Sequence, residues 1–424
     1  MSLSLRVLPF ILLGLLVAFP AEALELCAKL GKDGAPKDGA PIRLRAECRQ
    51  KKNGDPIEVS IGTTSQLALG AALENYLSVD TSEHIVRLEG ANLQIRSGQG
   101  ASAGDGDRYA PTVNGLGNLI IGYDEPDPYY PEKSGSHNLV IGPYHSYTSA
   151  GGLLSGFSNM ASGPWAALAG GEKNEAHEFG SAVVGGIFNN AREEISAIVG
   201  GWYNEASGTG AVVVGGRQNV ASGEHALVGG GQENVSEGSS SVAGGGSGNR
   251  ASEVWSTVSG GHNNLAGGRY SAVSGGSNNE ATADASSVSG GRYNQASAES
   301  ASVSGGEANS ATGVASWVGA GDGNTAAGSK SSVSGGSLNR AEARWATASG
   351  GRDNISSGDY SAISGGWNNR AIGRDSSVSG GEDGRATGIV SSISGGSANA
   401  AEGRSSTVSG GSGNTASGSN DHLP

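Results

Sequence analysis

The hydrophobic positions of this chain recur with a period of 15. An aliphatic anchor falls at Leu153, Leu168, Val183, Ile198, Val213, Val228, Ala243, Val258 and Val273. It continues at Val288, Val303, Val318, Val333, Ala348, Ile363, Val378, Ile393 and Val408, giving 18 coils in which 16 anchors are Val, Ile or Leu. Counted from the anchor as position 0, position 3 is Gly in every coil, and position 6 is Asn in all but one, where Gly384 stands. Position 8 is Ala except at Ser236 and Ser356, and position 13 is Ala or Ser until Asp421 in the last coil. A period this strict is the mark of stacked, near-identical backbone turns.

Fifteen residues are too few for two packed helices, and Gly beside β-branched residues disfavours helix. They suit two short strands and two tight turns. The sequence therefore predicts an all-β fold, a parallel β-solenoid or β-roll of 15-residue coils. Strand alternation places positions 13, 0 and 2 on one inward face and positions 6, 8 and 10 on the other. The expected interior is thin: a Val ladder facing an Ala ladder. The Asn at position 6 is expected to stack on its copies and bridge adjacent coils, and Gly at position 3 to supply a turn dihedral other residues resist. Positions 1, 7, 11, 12 and 14 vary and are expected to face outward. Eighteen coils at ~4.8 Å give a rod on the order of 85 Å.

Ahead of the array, Asn92-Leu93-Gln94-Ile95, Asn118-Leu119-Ile120-Ile121-Gly122 and Asn138-Leu139-Val140-Ile141-Gly142 read as early coils. Their extra residues fall in two insertions, Ser97–Gly115 and Asp124–Ser136. The second, with Asp124, Glu125, Asp127, Tyr129, Tyr130 and Glu132, has the composition to clasp a cation or present a binding loop; its Pro residues equally suit a solvated loop. The N-terminus reads as a secretory signal: Arg6, an apolar run from Val7 to Phe19, then Ala21-Glu22-Ala23. The run is too short and Pro-interrupted for a membrane span. The expected organisation is a signal peptide over 1–23, a capping region over 24–90, irregular coils over 91–152, the regular roll over 153–418 and a tail over 419–424. Cys27 and Cys48, the only cysteines, are expected to form a disulfide in an oxidising compartment.

Composition narrows the picture. The chain has 424 residues with 75 Gly and only 5% aromatics, too few large apolar side chains for one big globular core. Its net charge of -13 argues against nucleic acid as a partner, and no other apolar run would insert in a membrane. The seven His never recur beside an acid at a fixed coil position, and the Gly-Gly pairs lack the strand-to-helix setting of a phosphate loop. No enzyme, metal or cofactor is expected. Aromatic residues are the candidates for ligand contact: Trp165, Trp255, Tyr270, Trp345 and Tyr360 at position 12, and Trp202, Tyr203 and Trp367, with Phe157, Phe188 and Tyr293, at positions 4 and 5. They would stack on sugars or grip a protein, or else stack on one another and stiffen the rod. The Thr rows that an ice-binding face would want are absent.

The string Ser-Val-Ser-Gly-Gly-x-x-Asn-x-Ala-x-Gly resembles the head repeat of trimeric autotransporter adhesins of the YadA-like type, with the nearest match at Leu139-Val140-Ile141-Gly142 and its 14-residue step. The likeness covers about two-thirds of the chain. It implies a left-handed roll, side-by-side homotrimers and adhesion to surface glycans or proteins. This chain differs in having Gly at position 2 and one more residue per coil, and in carrying no heptad stalk or membrane barrel segment before Pro424. The expected function is that of a bacterial, secreted or cell-surface (or periplasmic) adhesin-like rod; the alternative is a structural spacer or coat protein with no ligand.

Overall fold

The computed structural model describes residues 76–104 and 106–424, and in addition the backbone of three strands, Glu25–Lys29, Arg43–Arg45 and Glu58–Thr63. The chain divides into two units, Met1–Gln94 and Ile95–Pro424. In the first, Glu25–Lys29 is the centre of an antiparallel three-stranded sheet, and Leu77–Asp80 pairs with Ile85–Leu88 as a hairpin whose turn is tied by the Asp80 carboxylate. The expected signal peptide and the Cys27–Cys48 disulfide lie outside the described residues and side chains.

The second unit is a parallel β-solenoid. Each coil has one two-residue strand at positions 14 and 0 and another at positions 7 and 8, and each strand pairs in parallel with its copy one coil away. Thr257–Val258 on Ala272–Val273 and Leu265–Ala266 on Glu280–Ala281 are typical. Two sheets result. The first runs from Leu119–Ile121 to His422–Leu423, the second from Ser146–Tyr147 to Thr415–Ala416. Single bridges at position 4, from Phe157 to Ser412, add a third parallel ladder along one edge.

The backbone bonds run in both directions. Strand residues donate to the next coil, as Thr257 N–H does to Ser271 O at 2.9 Å and Leu265 N–H to Asn279 O at 2.9 Å. Positions 5 and 12 donate to the preceding coil, as Asn263 N–H does to Ser247 O at 2.9 Å and Tyr270 N–H to Val254 O at 3.0 Å. This reversal requires a left-handed backbone. Positions 5 and 12 have φ between 51° and 60° whenever they are not Gly, including Trp165, Trp255, Tyr270, Ile195 and Val390. Left-handed geometry costs an ordinary residue about 1–2 kcal/mol, so the neighbouring coils must hold it in place.

Position 3 behaves as expected. Every glycine there has positive φ, and in Gly261 a Cβ would also stand 2.2 Å from the Gly276 carbonyl oxygen of the next coil. The core is as thin as the pattern implied, with Val, Ala, Asn and small Ser or Ala side chains buried at positions 0, 8, 6 and 13. The two Ser at position 8 have a partner: Ser236 bonds Ser241, and Ser356 bonds Ser361, each at 2.6 Å across the interior.

Four expectations need correction. Position 2 does not face inward: a Cβ added at Gly185 or Gly275 meets nothing within 4 Å, because the alternation ends as the chain enters the turn. Leu153 is not the first anchor. It pairs with Ala167, while the buried Leu154 pairs with Leu168, so the coils from Val140 to Leu154 and from Leu154 to Leu168 both have 14 residues. The extra residue of later coils lies in this turn, where Ala169-Gly170-Gly171 joins Leu168 to Glu172 while only Ser155-Gly156 joins Leu154 to the bridged Phe157. Asn92–Ile95 forms no strand and is exposed; the polar Gln94 falls where the matching strings have Ile120 and Val140. Finally, the supposed tail contributes the strand His422–Leu423, with Leu423 paired to Val408.

Candidate functional site

The interior is organised by an asparagine ladder that also fixes the shape of the surface. Each position-6 amide donates to the position-2 carbonyl of its own coil and the position-3 carbonyl of the next, and its Oδ1 accepts the N–H of the next Asn. For Asn279 these bonds are 2.9 Å to Gly275 O, 3.0 Å to Gly291 O and 3.0 Å in each direction along the ladder. All the polar atoms of a fully buried amide are thereby satisfied. Because the ladder holds the turns in register, the outward side chains form straight columns.

At the N-terminal end His145 takes the place of Asn. Its Nδ1 accepts the Asn159 N–H at 3.2 Å, and its Nε2–H donates to Ile141 O at 3.0 Å, reproducing the two amide roles with a neutral ring. Complete burial holds its pKa below the usual histidine value, although the bond to the Ile141 carbonyl opposes that shift. The residue was not singled out from the sequence; its place four residues after Ile141, as Asn159 follows Ser155, was the available signal.

The second insertion, Asp124–Ser136, supplies its own cation. Lys133 Nζ bonds the Asp124 and Glu125 carbonyl oxygens and lies 2.6 Å from Asp124 Oδ1, while Tyr147 Oη donates to Asp124 Oδ2 at 3.1 Å. Burial and the Asp124 carboxylate push the Tyr147 phenol far up. Asp127 accepts Tyr129 and Tyr130 N–H and the Ser158 hydroxyl; these bonds hold its pKa below the ordinary value although burial pushes the other way. The first insertion, Ser97–Gly115, lies along one edge of the roll. There Arg108 O accepts the Trp165 Nε1–H at 2.8 Å, and Tyr109 packs on Phe179 with centroids 4.5 Å apart. Among the described residues no acid, His or Cys cluster suits a metal, and no helix is long and apolar enough to cross a membrane.

The aromatic candidates do not form one surface. Positions 4 and 5 belong to one turn and position 12 to the other, so Trp202, Tyr203 and Trp367 lie along one edge while Trp255, Tyr270, Trp345 and Tyr360 lie along the opposite edge. Many ring faces are already covered. Phe188 stacks on Tyr203 at 4.9 Å and 7°, with Lys173 over Phe188. Lys330 sits 4.8 Å over Trp345, Arg344 and Arg374 flank Tyr360, Arg269 lies over Tyr270, and Arg292 over Tyr293. Trp165 is held by the insertion. Self-stacking of adjacent rings occurs at Phe188–Tyr203, while the pairs Trp255–Tyr270 and Trp345–Tyr360 make no ring contact. Trp202, Trp255 and Trp367 keep open faces.

What the sequence reading missed is a sheet face. The outward positions of the first sheet, 14 and 1, with the turn glycine at 2, carry no Asp, Glu, Lys, Arg or His from Ala167 to Gly410, across 17 coils. The chain has 67 charged residues, all of them elsewhere. The second sheet is the contrast, presenting Glu175, Arg192, Glu237, Arg250, Arg340 and Arg370 at positions 7 and 9, with Arg250 forked onto Glu237 at 2.7–3.0 Å. The uncharged face is apolar at its N-terminal end, where Val184, Val199 and Val214 are about half exposed, and hydroxyl-lined from Thr257 to Ser409. In that second part, Ser or Thr fills 18 of the 22 outward sites, mostly as Ser.

No protein-family model matches the chain, and no curated protein is found to match it.

Proposed function

We propose that the chain is a secreted, adhesin-like repeat protein whose β-roll is a rigid rod for binding cell surfaces, glycans or matrix, and that the uncharged face of the first sheet is its working surface. The observation that carries this reading is the exclusion of every ionisable residue from that face over 17 coils. Solubility alone would scatter charge over both sheets, as the second sheet does, and depletion of charge marks the centre of association surfaces. The apolar end around Val199 supports self-association, with a homotrimer as the expected assembly; the hydroxyl-lined part is left for other partners. A disulfide-bearing N-terminal region and export by a signal peptide belong to the same reading.

A specific observation favours the competing spacer reading: cations cover several of the edge rings, which stiffens the rod and occupies the faces a ligand would use. The two separate in one experiment. Binding of the mature chain to cells and matrix is compared with that of Val199→Glu and Ser304→Lys, with solution mass by light scattering for each. Loss of binding in Ser304→Lys, and of the oligomer in Val199→Glu, is the expected result. Undiminished binding in both would remove the face from the function, and a wild type that binds nothing would leave the spacer.

A further inference from the structure

The hydroxyl-lined half of the uncharged face has one large side chain, Trp317. It occupies position 14, a column that otherwise holds Ala, Val, Leu, Ser and Thr through the regular array, and it pairs in register with Ser302 and Ser332. The ring does not stand up from the sheet. Its Nε1–H donates to Ser304 Oγ at 3.2 Å, one coil back in the position-1 column. Its six-membered ring lies across Gly319, where a Cβ would come within 3.0 Å of both Cζ2 and Cη2. Gly319 is also the one residue of the position-1 column between Ser259 and Ser409 that is not Ser. The bulky residue and the missing side chain thus coincide, and the indole is laid flat on the sheet with about 39% of the residue exposed.

We propose that Trp317 and the serine hydroxyls around it form a binding platform for an uncharged polysaccharide. The inference rests on reading the rod as a surface-binding protein, and it names the site and the ligand class. An aromatic ring lying in the plane of a face offers its π-surface to the C–H face of a pyranose ring. Flanking hydroxyls donate to and accept from sugar hydroxyls, as serine can do both. A face with no ionisable group favours a neutral chain over a uronate or sulfated polymer, which would give up hydration without gaining a counter-charge. The coil spacing of ~4.8 Å and the in-register columns of the open sheet suit an extended polymer rather than a single sugar in a pocket. Several edge aromatics lack this geometry because cations or neighbouring rings cover their faces, and the open rings of Trp202, Trp255 and Trp367 stand at the turns, off the uncharged face.

The test is co-sedimentation of the mature chain with cellulose and with chitin, and gel retardation by a soluble neutral glucan and by alginate. Trp317→Ala is the main variant; Ala272 and Ala362 already occupy that column, so the coil accommodates it. Ser304→Lys is the second, and the joint replacement of Trp255, Tyr270, Trp345 and Tyr360 by Ala is the control. The proposal expects binding to a neutral polymer, weakened about tenfold in Trp317→Ala, as the loss of one stacked ring implies, weakened in Ser304→Lys and unchanged in the edge variant. Equal binding by Trp317→Ala and wild type overturns it, as does preference for alginate. Binding to cells without binding to any neutral polymer overturns the ligand class while the wider function stands. If wild type oligomerises so that Trp317 is shielded from acrylamide quenching, compared with Trp317→Ala, the face belongs to the oligomer and the proposal falls.

Discussion

The single break in the asparagine ladder offers a direct measure of what the ladder contributes. At Gly384 the chain lacks the amide, and the consequence lies one coil on. The N–H of Asn399, 1% exposed, has no Oδ1 to donate to, whereas the N–H of Asn414 has Asn399 Oδ1 at 3.0 Å. Gly384→Asn should restore that acceptor and give Nδ2 two carbonyls, Gly380 O and Gly396 O, as Asn369 has Gly365 O and Gly381 O at 3.1 and 2.9 Å. The space exists: an added Cβ is crowded at 2.8 Å only by Asn369 Oδ1, a side-chain end, and Gly384 has no positive φ. Relieving an unsatisfied buried N–H is worth about 1–3 kcal/mol, and replacing a glycine at a φ other residues can adopt about 0.4–1 kcal/mol more. Fixing the Asn side chain offsets part of this, so a net gain near 2 kcal/mol is expected. A long repeat array does not melt in one step, so the assay is native-state hydrogen exchange. Amides of the coils around Asn399 should exchange roughly 30-fold more slowly, since 1.4 kcal/mol is tenfold. The reciprocal variant, Asn279→Ala, should open the rod locally by a similar or larger amount. Unchanged or faster exchange in Gly384→Asn would refute the account of the ladder as the element that ties coil to coil.

Three further outcomes follow from other parts of the rod. Val390, β-branched with φ of 58° and half exposed, should be replaceable by Gly with stability unchanged or raised by up to about 1 kcal/mol, measured by local exchange; a clear loss would show that its conformation is not strained. His145 has its pKa lowered in the folded chain, mainly by burial, so the folded state takes up fewer protons than the unfolded chain below about pH 6.5. Its contribution should be complete above that pH and fade as pH falls through the folded pKa, with Lys133 and Asp124 nearby acting in opposite senses. His145→Asn should keep the ladder and flatten the pH dependence, between 5 and 7, of local opening read by hydrogen exchange in the coils around it, and an unaltered slope would exclude His145 as its source. Asn234-Val235-Ser236 and Asn354-Ile355-Ser356 are glycosylation acceptor strings whose Asn are fully buried. In a eukaryotic secretory host, glycans added before folding should lower the yield of folded protein. Ser236→Ala with Ser356→Ala should restore it, read by intact mass and secreted yield.

Much of this architecture was legible because a solenoid repeats its constraints. The anchor, the Asn, the Ala and the position-3 Gly each face the same surroundings in every coil, so any constraint recurs as a column in the sequence. What escaped were features that side-chain alternation does not encode. The turn at position 2 leaves the strand, so period-two counting placed its glycine inward when it faces solvent. The left-handed residues at positions 5 and 12 were hidden because Trp, Tyr, Lys and Val stand there; the Gly, Asn and Asp at other coils of the same columns were the available signal. Leu153 was misplaced because Leu153 and Leu154 are both suitable anchors, and only the shorter first turn decides between them. The uncharged face escaped for another reason: its signature is an absence spread over three columns, seen only once the structure says which columns adjoin.

The bidirectional bonding of the coils has a consequence for how such a rod changes over generations. Apart from the coil of Gly384, the regular coils offer their neighbours the same donors, acceptors and small side chains, so the interior carries almost no address. Loss or duplication of a fifteen-residue block would rejoin matching halves without a mismatched contact, provided the block is whole. Length is then nearly free to drift, while the phase within a block is fixed. Any surface function that depends on one position, as at Trp317, would shift along the rod with its block and keep its local setting.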